Sequence, residues 1–203
     1  MTVRLAVLIS GRGSNMTAIM KRAEREDWPV RFLVLANRPR AKGLALAHDM
    51  GAETDVLSHR RFGDRDDFDA ALAARLVEFG ADWVILAGFM RVLGPRFVRP
   101  FEGRILNIHP SLLSRHPGLD THRRALEAGD DEHGCTVHFV DDTLDGGPII
   151  AQSRVPVETS DDESRLAARV LVQEHLLYPQ VVADAVFGRL RPLVPSTAGV
   201  ASP

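Results

Sequence analysis

The run Val3-Arg4-Leu5-Ala6-Val7-Leu8-Ile9 is apolar at all but one position and stops on Ser10-Gly11-Arg12-Gly13-Ser14-Asn15. A strand with one wet face alternates apolar and polar residues. This one does not, so it must be covered on both sides. The glycines turn the chain, and from Asn15 onward Met16, Ile19, Met20 and Ala23 recur at helical spacing. A doubly covered strand that enters a helix through a glycine turn belongs to an α/β layer structure with right-handed crossovers between parallel strands.

The following segments repeat that pattern. Val30 to Ala36 reads as a second buried strand closed by Asn37-Arg38-Pro39, and Gly43 to Met50 as a helix stopped by Gly51. Thr54 to Leu57 reads as a short strand. Asp67 to Phe79 places Phe68, Leu72, Leu76 and Phe79 on one helical face before Gly80, and Asp82–Ala87 and Arg104–Ile108 are further strands. The rhythm then changes. Gly134–Val140 and Ile149–Val155 are joined by Asp141 to Pro148, too short for a helical crossover, so they form an antiparallel pair. Ser160-Asp161-Asp162-Glu163 matches a capping box, and Leu166, Val170, Leu177 and Val181 continue a helix that Pro179 can bend. The expected fold is α/β: a single-domain, open, twisted, mostly parallel sheet with helices on both faces and antiparallel strands in the C-terminal half. The domain is expected over residues 1–191, with a flexible tail over 192–203.

A 45% hydrophobic content over 203 residues excludes a disordered chain, and no charge-free apolar run nears the ~18 residues of a membrane span. A net charge of -2 argues against a nucleic-acid binder. Cys135 is the only cysteine, which rules out an intrachain disulfide and a thiolate zinc site. No leader-like pattern precedes Val3, so a cytoplasmic location is expected. Of 25 basic residues only Lys21 and Lys42 are lysines; the rest are arginines, either a habit of composition or a surface suited to phosphate.

Three motifs carry chemistry. The glycine turn Ser10–Asn15 presents free amides at a helix start, where an anion is held; it lacks the third glycine of a dinucleotide fingerprint and the Gly-Lys-Ser/Thr end of a triphosphate loop. Asn107-Ile108-His109-Pro110-Ser111 ends a strand at the crevice where open sheets bind ligands, and Asn107 and His109, two apart, project to one side. An amide donor beside an imidazole suits acyl transfer: one stabilises an oxyanion, the other moves protons near neutral pH. Asp145, in Leu144-Asp145-Gly146-Gly147-Pro148, is an ordinary turn residue that becomes a partner for His109 if the loop returns to the crevice. Other candidates read as structural. His116 and His122 flank a Pro-Gly loop and read as surface groups. His133 and His138, five apart on a strand, face opposite ways, and Cys135 is a small apolar residue.

Taken together, Val7–Asn15, Ala87-Gly88-Phe89-Met90-Arg91-Val92-Leu93, Ile105–Leu113, His133–Val140 and Leu144–Pro148, in this order, closely resemble the glycinamide ribonucleotide transformylase (phosphoribosylglycinamide formyltransferase) family. The match spans about residues 3 to 191. The Asn-x-His-Pro-Ser segment with the Asp-Gly-Gly turn is shared by the wider folate-dependent formyltransferase superfamily, and the glycine turn with Gln173-Glu174-His175 narrows it. The resemblance implies transfer of a formyl group from 10-formyltetrahydrofolate, as cosubstrate, to the amine of glycinamide ribonucleotide in purine biosynthesis, with no metal. It implies that Gly13, Ser14 and Asn15 hold the phosphate, Glu174 the ribose, and Gly88, Ile108 and Pro110 the nucleotide channel. The folate pocket would be lined by Arg65, Met90, Arg91, Val92, Leu93, Asn107 and the loop Asp141, Asp142, Thr143, Leu144 and Asp145. Asn107, His109 and Asp145 would be catalytic. The implied partners are these two small molecules, not nucleic acid or membrane, and a homodimer is left open. Ser114 stands where the family commonly has Pro, and Asp120 where some members have His. A formyltetrahydrofolate hydrolase would be expected to carry an N-terminal regulatory domain, and a methionyl-tRNA formyltransferase a C-terminal extension. A phosphosugar-binding module would explain the glycine turn but not the three catalytic-type residues together.

Overall fold

The computed structural model describes residues 1–141 and 143–193. Its centre is a seven-stranded sheet. The strands are β1 (Val3–Ile9), β2 (Val30–Ala36), β3 (Glu53–Val56), β4 (Trp83–Leu86), β5 (Ile105–His109), β6 (Glu132–Phe139) and β7 (Ile149–Pro156). Their order is β3-β2-β1-β4-β5-β6-β7. The first five are mutually parallel, whereas β6 runs antiparallel to both β5 and β7. The chain reverses its winding between β1 and β4, the switch point at which open sheets form their ligand crevice.

The apolar run at the N-terminus is central because it feeds two cores. Leu5, Val7 and Ile9 join one hydrophobic cluster, while Ala6 and Leu8 join the other on the opposite face, as the period-two alternation of a strand requires. The first cluster is closed by α1 (Ser14–Arg25), α2 (Gly43–Asp49), α5 (Thr121–Ala128) and α6 (Glu163–Val186). The second is closed by α3 (Arg65–Phe79) and α4 (Pro95–Val98). The sheet is therefore sandwiched between helices, as the sequence predicts.

One local reading needs correction. The capping box at Ser160 is not the one used: Asp162 is the N-cap of α6, its Oδ1 accepting from the Arg165 amide at 2.8 Å, while Ser160 only offers its carbonyl to the Arg165 side chain. Asp162 wins because it sits directly before the first helical residue. Helix α6 then runs through Pro179 to Val186 without interruption. Tyr178, in the same helix, is fully buried, and its hydroxyl faces both Leu86 O (3.0 Å) and Leu106 O (2.9 Å), tying α6 to the end of β4 and the start of β5. At the end of the described chain, the Leu193 amide donates to Gly103 O at 3.0 Å. The tail expected over 192–203 otherwise lies outside the described residues.

Candidate active site

The glycine turn behaves as a helix start with unspent donors. Gly13 adopts φ 72°, a left-handed conformation open to glycine, and α1 begins at Ser14 with no side-chain cap. The first helical amides therefore remain free for an anion. Asn15 does more than line this turn. It is buried, and its Nδ2 donates to Glu174 Oε2 at 2.6 Å across 159 residues of chain. That bond joins the glycine turn at the start of α1 to Glu174 of α6. Burial pushes the Glu174 carboxyl pKa up, and the Asn15 bond opposes the shift. Asn15 Oδ1 is buried without a partner in the described chain.

Four strands away in sequence, β5 delivers Asn107 and His109 to the carboxyl edge. His109 is buried, and both of its nitrogens face acceptors: Nε2 is 3.0 Å from His116 O, and Nδ1 is 3.3 Å from Asp145 Oδ2. A ring that donates toward both acceptors at once must carry a proton on each nitrogen. Asp145 is itself held in place. It has φ 50°, and its Oδ2 accepts the Gly118 amide at 2.9 Å. One short loop, His116-Pro117-Gly118, thus anchors both partners. Its base is fastened to the sheet through Thr136, whose hydroxyl donates to Ser111 O at 2.7 Å and accepts the Leu113 amide at 3.0 Å.

Asn107 has a partner that sequence reading set aside. Its Nδ2 is 3.1 Å from His138 Nε2, and His138 stands directly opposite it in the β5–β6 register. His138 Nδ1 lies 2.7 Å from Phe139 O, so Nδ1 carries the proton and Nε2 is left as an acceptor. Burial, the largest cause, lowers the His138 pKa and favours this neutral tautomer. His138 therefore fixes which way the Asn107 amide points. Its distance to Asp145 Oδ1 is 3.9 Å.

The reading of His116 and His122 as surface groups is also corrected. His122 Nδ1 lies 3.1 Å from His133 Nε2, and His116 Nε2 lies 2.7 Å from Asp130 Oδ2 beneath the His116–Gly118 loop. Tertiary packing, invisible in local polarity, folds these rings inward. His133 and His138 do find different partners, as their odd spacing predicts. Among the described residues no group of three such side chains is arranged to hold a metal.

The segment after β4 is a shelf beside the crevice. Gly88 takes φ 78°, and its carbonyl accepts the Ser10 amide at 3.1 Å, while Ser10 Oγ accepts the Met90 amide at 2.8 Å. Met90 and Val92 are exposed, whereas Leu93 packs into the second core. Arg91 stacks over the Phe68 ring at 4.8 Å, with Nε buried and unpartnered in the described chain. Arg65 begins α3, its Nε 3.7 Å from the fully buried Asp69, whose Oδ2 accepts the Gly94 amide at 2.7 Å. Ile108 is buried in β5, and Pro110 O accepts the Thr121 hydroxyl at 2.7 Å. Asp141 accepts the Thr143 amide at 2.8 Å, Leu144 is exposed, and Asp142 lies outside the described residues.

A doubly wound sheet with an anion turn at β1 and an amide–imidazole–carboxylate set at β5 defines an acyl-transfer enzyme acting on a phosphorylated substrate. The chain belongs to the formyl transferase family, whose model matches residues 3–182. It is 47% identical to the phosphoribosylglycinamide formyltransferase of Escherichia coli, a match covering 93% of this chain and 90% of that protein. It is 42% identical to part of the human trifunctional purine biosynthetic protein adenosine-3, covering 89% of this chain and 18% of that one. The crystal structure of glycinamide ribonucleotide transformylase 1 from Symbiobacterium toebii superposes with a TM-score of 0.89 at 43% identity, over 93% of this chain and 89% of that one.

Proposed function

We propose how this chain's residues divide the work of its reaction. The chain transfers the formyl group of 10-formyltetrahydrofolate to the amine of glycinamide ribonucleotide, a step of purine biosynthesis. The free amides at Gly13, Ser14 and Asn15 receive the substrate phosphate, aided by the positive end of the α1 dipole. Glu174, steadied by Asn15, accepts from the ribose hydroxyls. Gly88, Ile108 and Pro110 line the path toward the reacting amine. Met90 and Val92 offer apolar contact to the folate ring system, with Arg91, its guanidinium over the Phe68 ring, as a planar donor. Leu93 anchors that shelf from below, and Arg65 faces the anionic end of the folate. The loop Asp141, Asp142, Thr143, Leu144 and Asp145 closes the other side. The orphaned polar atoms of Asn15 and Arg91 fit a site whose hydrogen bonding is completed by ligands.

At the reacting carbon, Asn107 donates its amide hydrogen to the oxygen that gains charge as the amine attacks. His109, placed between His116 O and Asp145, donates toward the same charge in its protonated form. Asp145 orients the ring and takes part in moving the proton from the attacking amine to the departing folate nitrogen. The observation that carries this assignment is His109 with an acceptor on each nitrogen, two residues from Asn107. A cytoplasmic location and a homodimer complete the reading, the latter supported by Val172 and Leu176, exposed one turn apart on α6.

Tetrahydrofolate release, followed spectrophotometrically with and without glycinamide ribonucleotide, tests the reaction. Release is expected only with the amine present. Equal turnover without it would make the enzyme a hydrolase.

A further inference from the structure

The acceptor that faces His109 Nε2 is a backbone carbonyl, and its aim depends on the conformation of one residue. His116 has φ 51°, a left-handed conformation that residues with a Cβ seldom adopt. Pro117 follows it, and a proline biases the residue before it toward extended backbone with negative φ. Both local preferences oppose the observed geometry, so tertiary contacts must impose it. Were His116 to relax to negative φ, its carbonyl, 3.0 Å from His109 Nε2, would turn away from the ring.

The restraint enters through the His116 side chain. Its Nε2 lies 2.7 Å from Asp130 Oδ2, and the two side chains are only 13% and 17% exposed. Asp130 is in turn fixed to the end of α5. Gly129 takes φ 68° there, and the Asp130 amide closes the helix on Ala125 O at 3.1 Å, the pattern of a Schellman cap. Arg115 Nη1 stands 3.8 Å from the other carboxylate oxygen, Oδ1. Helix α5 reaches the same loop a second time, where Arg124 Nη1 donates to Pro117 O at 2.6 Å. A half-buried carboxylate on a rigid helix end is thus bonded to the one side chain whose backbone must stay left-handed.

We propose that Asp130 is a positioning residue for formyl transfer: through the His116 side chain it holds the His116 carbonyl where His109 Nε2 meets it. The inference rests on the catalytic role proposed for His109 and extends that site by one residue. Asp145 faces the ring directly at Nδ1, whereas Asp130 acts on the Nε2 side through a backbone carbonyl.

Steady-state kinetics with both substrates varied test this. Asp130→Ala should lower kcat roughly tenfold and leave the Michaelis constants for ribonucleotide and folate at wild-type values, since the loss falls on the orientation of one reacting group. Asp130→Asn, whose side-chain oxygen still accepts from His116, should recover most of that rate. The decisive comparison uses His116→Gly, because glycine adopts φ 51° without help. Adding Asp130→Ala to His116→Gly should change kcat by less than about twofold. Wild-type turnover in Asp130→Ala would overturn the inference, and so would an equal loss from Asp130→Ala in both backgrounds. Raised Michaelis constants with kcat unchanged would also overturn it, showing that Asp130 serves the fold and not the reacting group. His109→Asn, assayed alongside, separates this inference from the reading beneath it. Wild-type turnover there would remove the role of His109 itself, whereas a loss there with none in Asp130→Ala would remove only that of Asp130.

Discussion

His109 and Asp145 form a pair whose value lies in charge. Replacing Asp145 with Asn keeps a similar shape but removes the counter-charge and disturbs the bond to the Gly118 amide. The turnover number of Asp145→Asn should fall by roughly 10²–10⁴, with little change in ribonucleotide affinity, because phosphate and ribose are held elsewhere. Combined with His109→Asn, the loss should be far smaller than the product of the two single losses. Strict multiplicativity in the measured rates would mean that the residues act separately. His138 acts one step back, through Asn107. His138→Ala should lower kcat by about five- to tenfold, the worth of one neutral hydrogen bond, and leave both Michaelis constants alone. His138→Gln, which can still accept from Asn107, should recover part of that rate; steady-state kinetics of the two variants side by side decide it. Asn107, His109 and the glycine turn were legible in the sequence because each sits in a short local pattern with a chemical reading. His138 was not, because it becomes a partner only through the β5–β6 register, which no local pattern states.

The histidines under the His116–Gly118 loop make one element sensitive to acid. The His122–His133 contact needs one ring to donate and the other to accept, so it cannot survive with both rings charged. Burial, the largest cause, depresses the His133 pKa to about 4 and lowers that of His122 as well. The native state therefore binds fewer protons than the unfolded chain. Their contribution is fully present above the unfolded value near 6.5 and is lost as pH falls from there toward 4. For the buried His133 the shift amounts to on the order of 3 kcal/mol. Hydrogen exchange of residues 116–133 should accelerate across that window well before β1 opens; uniform loss of protection across the sheet would contradict it. The sequence showed these histidines but not their burial, since a Pro-Gly loop looks equally at home on a surface. The capping of α6 was misread for a related reason. Ser160 and Asp162 are both good caps, and only the position of the first helical turn chooses between them.

At the scale of the whole molecule, the strand and helix order was readable because buried parallel strands announce themselves as apolar runs and glycines mark their ends. How the last helix closes the sheet was not, since it rests on contacts between distant segments. Tyr178 is the clearest of these, facing Leu86 O and Leu106 O at once. Tyr178→Phe removes the one hydroxyl proton that the buried Leu86 and Leu106 carbonyls share and should reduce stability by about 1–3 kcal/mol. A urea titration should show a lower midpoint with an unchanged slope; an unaltered midpoint would mean that the hydroxyl is dispensable. The bond between Asn15 and Glu174 adds a dimension of time. During synthesis the first half of the pocket proposed for the ribonucleotide leaves the ribosome almost at once, and its other half follows 159 residues later. At roughly 5–20 residues per second that interval is on the order of ten seconds or more. In the proposed assignment a nascent or truncated chain without α6 presents the glycine turn but not Glu174, so full affinity for the ribonucleotide arrives only with the last helix.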